Sequence, residues 1–312
     1  MKIKNIKLKN NLFLAPMAGY TDAGFRYLCK KYGAGLTTTE MVSAKALSMG
    51  SKKTIELLSK TSKEKPSCVQ LFGSEPEAFK KAIESGVLDS FDIIDINMGC
   101  PAPKIYGNGD GSSLMSNLPL AKEIIETCVK ATSKPITVKF RSGIDDEHIN
   151  AAQFAKMCED AGASLITIHP RTKVQGYSGI ANYEIVKDVV NAVSIPVVAS
   201  GDVGGIKEYD YLINECGASG VMIGRKALGK PEIFEEILKR KTKKLSMKDK
   251  LKQVLKHIEI LKQFHNDNYI NMTMRKHILN YLKEFKNASL LKVEVCKAET
   301  LEQMVDVLRK SR

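Results

Sequence analysis

The sequence predicts an α/β protein: a (β/α)8 TIM barrel followed by a small C-terminal helical bundle. Two observations carry that prediction. Short apolar β-type runs recur eight times with helical patterns between them, and beyond residue 245 the hydrophobic period is helical throughout. Near-continuous apolar strands belong to a parallel sheet covered on both faces. Eight such units within roughly 240 residues fit a closed barrel better than an open doubly wound sheet.

The elements follow in order. Strand one covers Leu12 to Ala15, and a helical pattern runs from Asp22 to Tyr32. Strands two and three cover Leu36–Glu40 and Cys68–Phe72, with a helix over Glu75–Glu84. Strand four, Phe91–Asn97, stops at a loop rich in proline and glycine that carries Cys100, before a helix over Leu118–Ala131. Ile136–Phe140, Leu165–His169, Ile195–Ser200 and Gly220–Ile223 are strands five to eight. Their helices cover Ile149–Ala161, Tyr183–Ala192, Gly205–Cys216 and Arg225–Leu238. The run Arg240-Lys241-Thr242-Lys243-Lys244 breaks the pattern. The expected division is therefore a barrel over 1–238, a basic linker over 239–246 and a helical domain over 247–312. In the last of these, Leu251, Val254, Leu255, Ile258 and Leu261 line one helix face, and Leu301, Met304, Val305 and Leu308 another. A bundle of about 65 residues needs the barrel to pack against.

Bulk properties narrow the function. The chain has 312 residues and is 43% hydrophobic and 27% charged, an ordinary globular balance. No apolar run approaches the ~20 residues that cross a bilayer, and no signal peptide is recognisable. The seven cysteines are scattered, with no Cys-x-x-Cys pair, which fits a reducing cytoplasm and argues against a zinc or disulfide framework. No metal is expected. Net charge is +13, and residues 241–312 hold 17 Lys and Arg against 8 Asp and Glu, a net +9. A basic tail of this kind suits a polyanionic partner, RNA or DNA before membrane.

Side chains at the C-terminal ends of barrel strands converge on one mouth, where such folds keep their chemistry. Here they are Pro16-Met17-Ala18, Glu40, Gln70, Asn97 and Cys100, Lys139 and Arg141, His169 and Arg171, Ser200-Gly201-Asp202, and Gly224-Arg225. Glycine turns after the last two strands, with Arg225, suit a phosphate group held by backbone N–H and helix ends. Gln70, Lys139 and His169 suit the ring of a flavin, where an amide pairs with the ring edge and a cation steadies the reduced form. No Gly-x-Gly-x-x-Gly follows a strand, so no dinucleotide-binding fingerprint is present. A lone cysteine is usually a buried structural thiol. Cys100 gains a role only from these neighbours.

The same residues resemble the tRNA-dihydrouridine synthases, and within them the bacterial B-type branch. The resemblance rests on Ala15-Pro16-Met17-Ala18-Gly19 with Thr21-Asp22 and Phe25-Arg26, on Gln70-Leu71-Phe72-Gly73, and on Asn97-Met98-Gly99-Cys100-Pro101. Val138-Lys139-Phe140-Arg141, Ile168-His169-Pro170-Arg171-Thr172 and Gly224-Arg225 extend it through the barrel in order. Ser200 departs from the pattern, which usually has asparagine before Gly-Asp. The resemblance implies FMN as cofactor, NADPH as its reductant, and tRNA as the substrate, whose uridine C5=C6 bond is reduced by a cytoplasmic monomer without a protein partner. Pro16, Met17, Ala18, Gln70, Lys139, His169, Ser200, Gly201, Asp202, Gly224 and Arg225 would hold FMN. Asn97, Arg141 and Arg171 would meet the substrate, and Cys100 would give the proton to C5. A thiol with a pKa near ~8.5 keeps its proton at neutral pH, as an acid must. Gly107 to Gly111 is expected to order when tRNA binds. A dihydroorotate- or dihydropyrimidine-dehydrogenase-like enzyme shares the barrel, flavin and loop cysteine but does not need the basic tail. An idle RNA-binding barrel would not need Cys100, Lys139 and His169 together.

Overall fold

The structure, a computed structural model, describes residues 1–311. A small antiparallel hairpin, β1 (Lys2–Ile3) and β2 (Ile6–Lys7), precedes the barrel. The barrel begins with β3 (Leu12–Leu14), α1 (Ala23–Lys31) and β4 (Leu36–Ser43), then two short helices, α2 (Ala44–Ser48) and α3 (Lys52–Glu56). It continues with β5 (Ser67–Phe72), α4 (Pro76–Glu84), β6 (Ile93–Met98), α5 (Pro103–Gly107), α6 (Leu118–Ala131), β7 (Ile136–Arg141) and α7 (Ala151–Asp160). The last units are β8 (Leu165–His169), α8 (Glu184–Ala192), β9 (Val197–Ser200), α9 (Ile206–Asp210), β10 (Gly220–Ile223) and α10 (Ile233–Lys239). Strands β3 to β10 pair in chain order, all parallel, and β10 closes on β3 through Val221↔Leu12 and Ile223↔Leu14. The eight predicted strands are all present.

The barrel interior is graded from bottom to top. Alternate residues of a strand face one side, so each strand sends every second side chain inward. At the bottom these are Phe13, Leu36, Cys68, Ile93, Leu165, Val198 and Met222, one apolar plug to which the hairpin adds Ile3 and Leu8. One layer up lie Gln70, Asp95 and Thr137, and above them Asn97, Lys139 and His169. The outward residues of the same strands form the core shared with the surrounding helices. Chemistry is thus confined to one end by the period of the strands.

Four helices complete the chain: α11 (Met247–Leu261), α12 (Asp267–Tyr281), α13 (Ser289–Lys297) and α14 (Leu301–Lys310). Residues 240–246 carry no helix or strand, and they are tied back where Arg240 forms a two-toothed ion pair with Asp210. The tail has its own core, completed by Leu28 of α1, so it folds onto the barrel as its size requires. Gly229 marks the tightest approach: it sits at φ +72°, and a Cβ there would lie 2.1 Å from the Asn280 carbonyl. Beside it Lys250 reaches the buried Glu232 and donates to the Gly229 carbonyl, while Gln253 donates to the other Glu232 oxygen. Among the described residues no helix is long and apolar enough to cross a membrane.

Candidate active site at the barrel mouth

The upper polar layers open into a cavity of about 930 Å³. Of the mouth residues named from the sequence, all but Glu40 and Arg171 line it. Strand β6 delivers Asn97, whose side-chain oxygen accepts from the backbone N–H of Gly99 (3.1 Å) and Cys100 (2.9 Å). From the far side Ser112 donates both its N–H and its hydroxyl to the Cys100 carbonyl. Gly111, at φ +60°, lets this happen, since a Cβ there would come within 2.9 Å of that carbonyl oxygen. Cys100 is thereby pinned through its own backbone, with its thiol free and half-buried at the rim. Gly107 to Gly111, the stretch expected to order on binding, joins the end of α5 to a 3₁₀ turn over Gly111–Ser116. Proline at the start of α5 and the Ser112 bonds brace its two ends.

Beneath the cysteine lies a buried amide chain. Asn97 donates to Gln70 Oε1 (2.8 Å), and Gln70 Nε2 donates to Asp95 Oδ2 (2.7 Å). Burial pushes the Asp95 carboxyl up to about 6, against the donors from Gln70 and Thr137 that favour its ionised form. Lys139, from the neighbouring strand, makes no hydrogen bond or ion pair among the described residues. Burial, with Arg141 nearby, pulls its ammonium down to about 8. His169 is driven down to about 2, by burial first and then by Lys139, Arg141, Arg171 and Arg225. Its imidazole is neutral at any working pH.

The two arginines behave differently from a simple substrate contact. Arg141 donates to the carbonyls of Gly99, Thr172 and Gly176, bracing the cysteine loop against the loop after β8. Arg171 stands behind the wall, donating to Ser178, Gly179 and the Asp202 carboxylate (2.5 Å). These bonds make it a buttress of the loop after β8, while its Nη1 has no hydrogen-bond partner among the described residues. Burial opposes ionisation of Asp202, but Arg171, the Ala181 N–H and Arg225 together hold the carboxyl below its usual value. That carboxylate is committed to cations, so any contact of this turn with an anion must come through backbone N–H. Gly201 (φ +107°) keeps the turn close, since a Cβ would meet the His169 ring at 2.6 Å. The helical elements after these two turns are short, α9 and a 3₁₀ turn over Arg225–Ala227, so dipoles add less than expected.

Among the cavity residues that were not anticipated are Tyr177, Lys226 and Lys283. Tyr177 lies between the guanidinium groups of Arg225 (4.5 Å) and Arg141 (5.5 Å). Its signal was an exposed aromatic between two glycines, Gly176 and Gly179, both at positive φ. Lys283 follows α12 and donates to the Leu228 carbonyl, so the tail itself supplies a wall of the cavity. No local pattern announces that contact.

The dihydrouridine synthase (Dus) family model matches residues 13–311. The chain is 38% identical over 294 residues to "tRNA-dihydrouridine synthase B" of Vibrio parahaemolyticus, covering 93% of this chain and 91% of that protein. It is 37% identical over 313 residues to the Vibrio cholerae protein of the same name, covering 99% and 97%. Among solved structures it is similar to histamine dehydrogenase from a Rhizobium species (TM-score 0.61, 15% identity, covering 83% of this chain and 50% of that one). Morphinone reductase is similar too (TM-score 0.57, 12% identity, covering 78% and 89%), and at such identities the likeness concerns the barrel alone. The match over nearly the whole chain, with the cysteine loop, Lys139 and His169 gathered at one mouth, places this protein in the dihydrouridine synthase family.

Proposed function

We propose that the protein is an FMN-dependent tRNA-dihydrouridine synthase that reduces the C5=C6 bond of particular uridines in tRNA, with NADPH reducing the flavin. The observation that carries this reading is Cys100, pinned at the rim of a cavity whose floor holds an unpaired lysine and a neutral histidine.

The residues present fit the cofactor. The cavity is within the size range of small-molecule sites, and Lys139 is a buried cation lacking a partner. At the opposite end Arg225, Lys226 and Lys283 gather around the turns at Gly201–Asp202 and Gly224. Pro16, Met17 and Ala18 would bound the ring, with Lys139 and His169 beside it. Gln70, having given one amide hydrogen to Asp95, has a second to offer. Ser200, Gly201, Asp202, Gly224 and Arg225 would hold the phosphate end, Asp202 through its backbone.

FMN, when bound and reduced, supplies the hydride that C6 of the uracil receives. Charge then develops toward C5 and O4, and Cys100 gives its thiol proton to C5. His169 cannot be that acid, because it carries no second proton at neutral pH. Lys139, charged below about pH 8, steadies the developing negative charge. Arg141 has one guanidinium nitrogen, Nη2, left for a uracil oxygen, and Asn97 acts through the loop it shapes. A stacked base cannot reach this depth, so the uridine must be extruded from the tRNA. The basic tail grips the phosphates, and recognition rests on RNA shape and charge. In this reading the protein works in the cytoplasm as a monomer.

The test is dihydrouridine mapping of tRNA from cells with and without the gene, paired with turnover of purified holoenzyme on tRNA, free uracil and orotate. Dihydrouridine lost at defined tRNA positions, with turnover on tRNA alone, is the expected result. Turnover of a free pyrimidine and none of tRNA would overturn the reading.

A further inference from the structure

On the seam between barrel and tail, behind the wall of the mouth, three side chains from distant parts of the chain converge. Asp22 caps the N-terminus of α1, while His257 and His277 come from α11 and α12. Nε2 of His257 lies 2.7 Å from Asp22 Oδ1, and Nε2 of His277 lies 2.9 Å from Oδ2, so each imidazole faces its own oxygen of one carboxylate. All three side chains are buried, and the two rings meet nearly edge to face, centroids 4.6 Å apart.

Hydrogen bonding explains only half of this cluster. His257 reaches Oδ1 in bonding geometry, but Oδ2 and His277 Nε2, though adjacent, have no hydrogen-bond partner. Two such atoms facing each other at full burial are costly unless something joins them. Donors ~2.0–2.2 Å from one metal ion lie about 3 Å from each other, close to the separations seen. A carboxylate using both oxygens, with two imidazoles, gives four donors. The outer contacts also suit ligands: the Phe25 N–H donates to Asp22 Oδ1 (2.9 Å), and the Tyr281 hydroxyl lies 3.5 Å from His257 Nδ1.

We propose that Asp22, His257 and His277 bind one divalent transition-metal ion of the zinc class, which staples α11 and α12 to the start of α1. Nitrogen and carboxylate donors suit zinc and its neighbours, and complete burial leaves no open position for substrate, so the ion is structural. Its effect would reach the mouth by a short route. The His277 ring packs edge-on against Tyr20 (5.5 Å), which lines the cavity just after Pro16–Ala18.

The test uses the untagged full-length protein, purified without chelator. Elemental analysis should find about one zinc-class ion per chain after gel filtration. Stripping it with a strong chelator should lower the melting temperature by several degrees, and Zn²⁺ should restore it. Replacement by Co²⁺ should give visible absorption bands that His277→Gln lacks, while that variant keeps its circular dichroism. Metal-free protein whose melting temperature ignores added Zn²⁺ would overturn the proposal, as would His277→Gln retaining the ion. If that variant does not fold, Co²⁺ titration of the stripped wild-type chain decides: visible bands saturating at one equivalent support the site, and their absence removes it. None of these readouts depends on the tRNA reaction.

Discussion

The barrel–tail seam and the barrel mouth both bury charged side chains, yet they treat them in opposite ways. At the seam Glu232 is met by Lys250 and Gln253. Nearby, buried Arg26 donates to Glu64 and to the carbonyls of Thr21 and Ser59, one bond from each of its three nitrogens. At the mouth Lys139 has no partner and His169 is held neutral among cations. A buried charge left unpaired costs stability. The seam spends Glu232 and Lys250 on fixing the tail, whereas the mouth leaves Lys139 available for a ligand.

Several substitutions break or sharpen this contrast. The largest effect belongs to the seam. Lys250→Ala strands Glu232 in the interior and should destabilise the protein by about 3–5 kcal/mol in denaturant unfolding. The mirror-image change at the mouth should behave otherwise. Lys139→Met should leave the flavin-free protein as stable as before, or better by about 1 kcal/mol, while weakening FMN binding about tenfold. Its second signature is in pH. Because the Lys139 ammonium is lost above about pH 8, the affinity of the wild-type apo-protein for FMN should fall there, whereas that of the variant should stay flat through the same range. An apo-protein destabilised by several kcal/mol would instead make Lys139 a structural group.

The smallest effect lies one layer down. Asp95 has its carboxyl raised from 3.8 to about 6, so the folded state holds the proton more tightly than the unfolded chain. This group therefore supports folding at low pH, and its contribution is lost as pH rises through about 6. Asp95→Asn should flatten the stability profile between pH ~4 and ~6, by on the order of 2 kcal/mol. An unchanged slope would mean that Asp95 titrates normally.

Much of this was legible in the sequence, for a physical reason. Barrel strands are buried on both faces, so they read as apolar runs, and their last inward residues are the polar ones that stand out. Asn97, Lys139 and His169 were visible for that reason. How polar atoms are shared was not visible. Gln70 and Asn97 read as ligand contacts, yet much of their bonding capacity goes to each other, to Asp95 and to the Cys100 loop. Arg171 read as a substrate residue, and two of its three nitrogens hold a loop and Asp202. The β1–β2 hairpin hid among lysines, because only Ile3 and Ile6 mark it as apolar. Lys283 depends on how the tail docks, and no local period encodes that. Deleting residues 245–312 would remove this wall and expose Leu28, so single substitutions test the tail's RNA grip more cleanly than truncation.

The most direct measurement is single turnover with Cys100→Ala, loaded with FMN, reduced by NADPH and then mixed with unmodified tRNA. The variant should bind FMN and accept electrons from NADPH as the wild type does, and reoxidation by tRNA should slow by about 10²–10⁴-fold. Reoxidation and dihydrouridine formation at the wild-type rate would contradict the assignment of Cys100 as the acid.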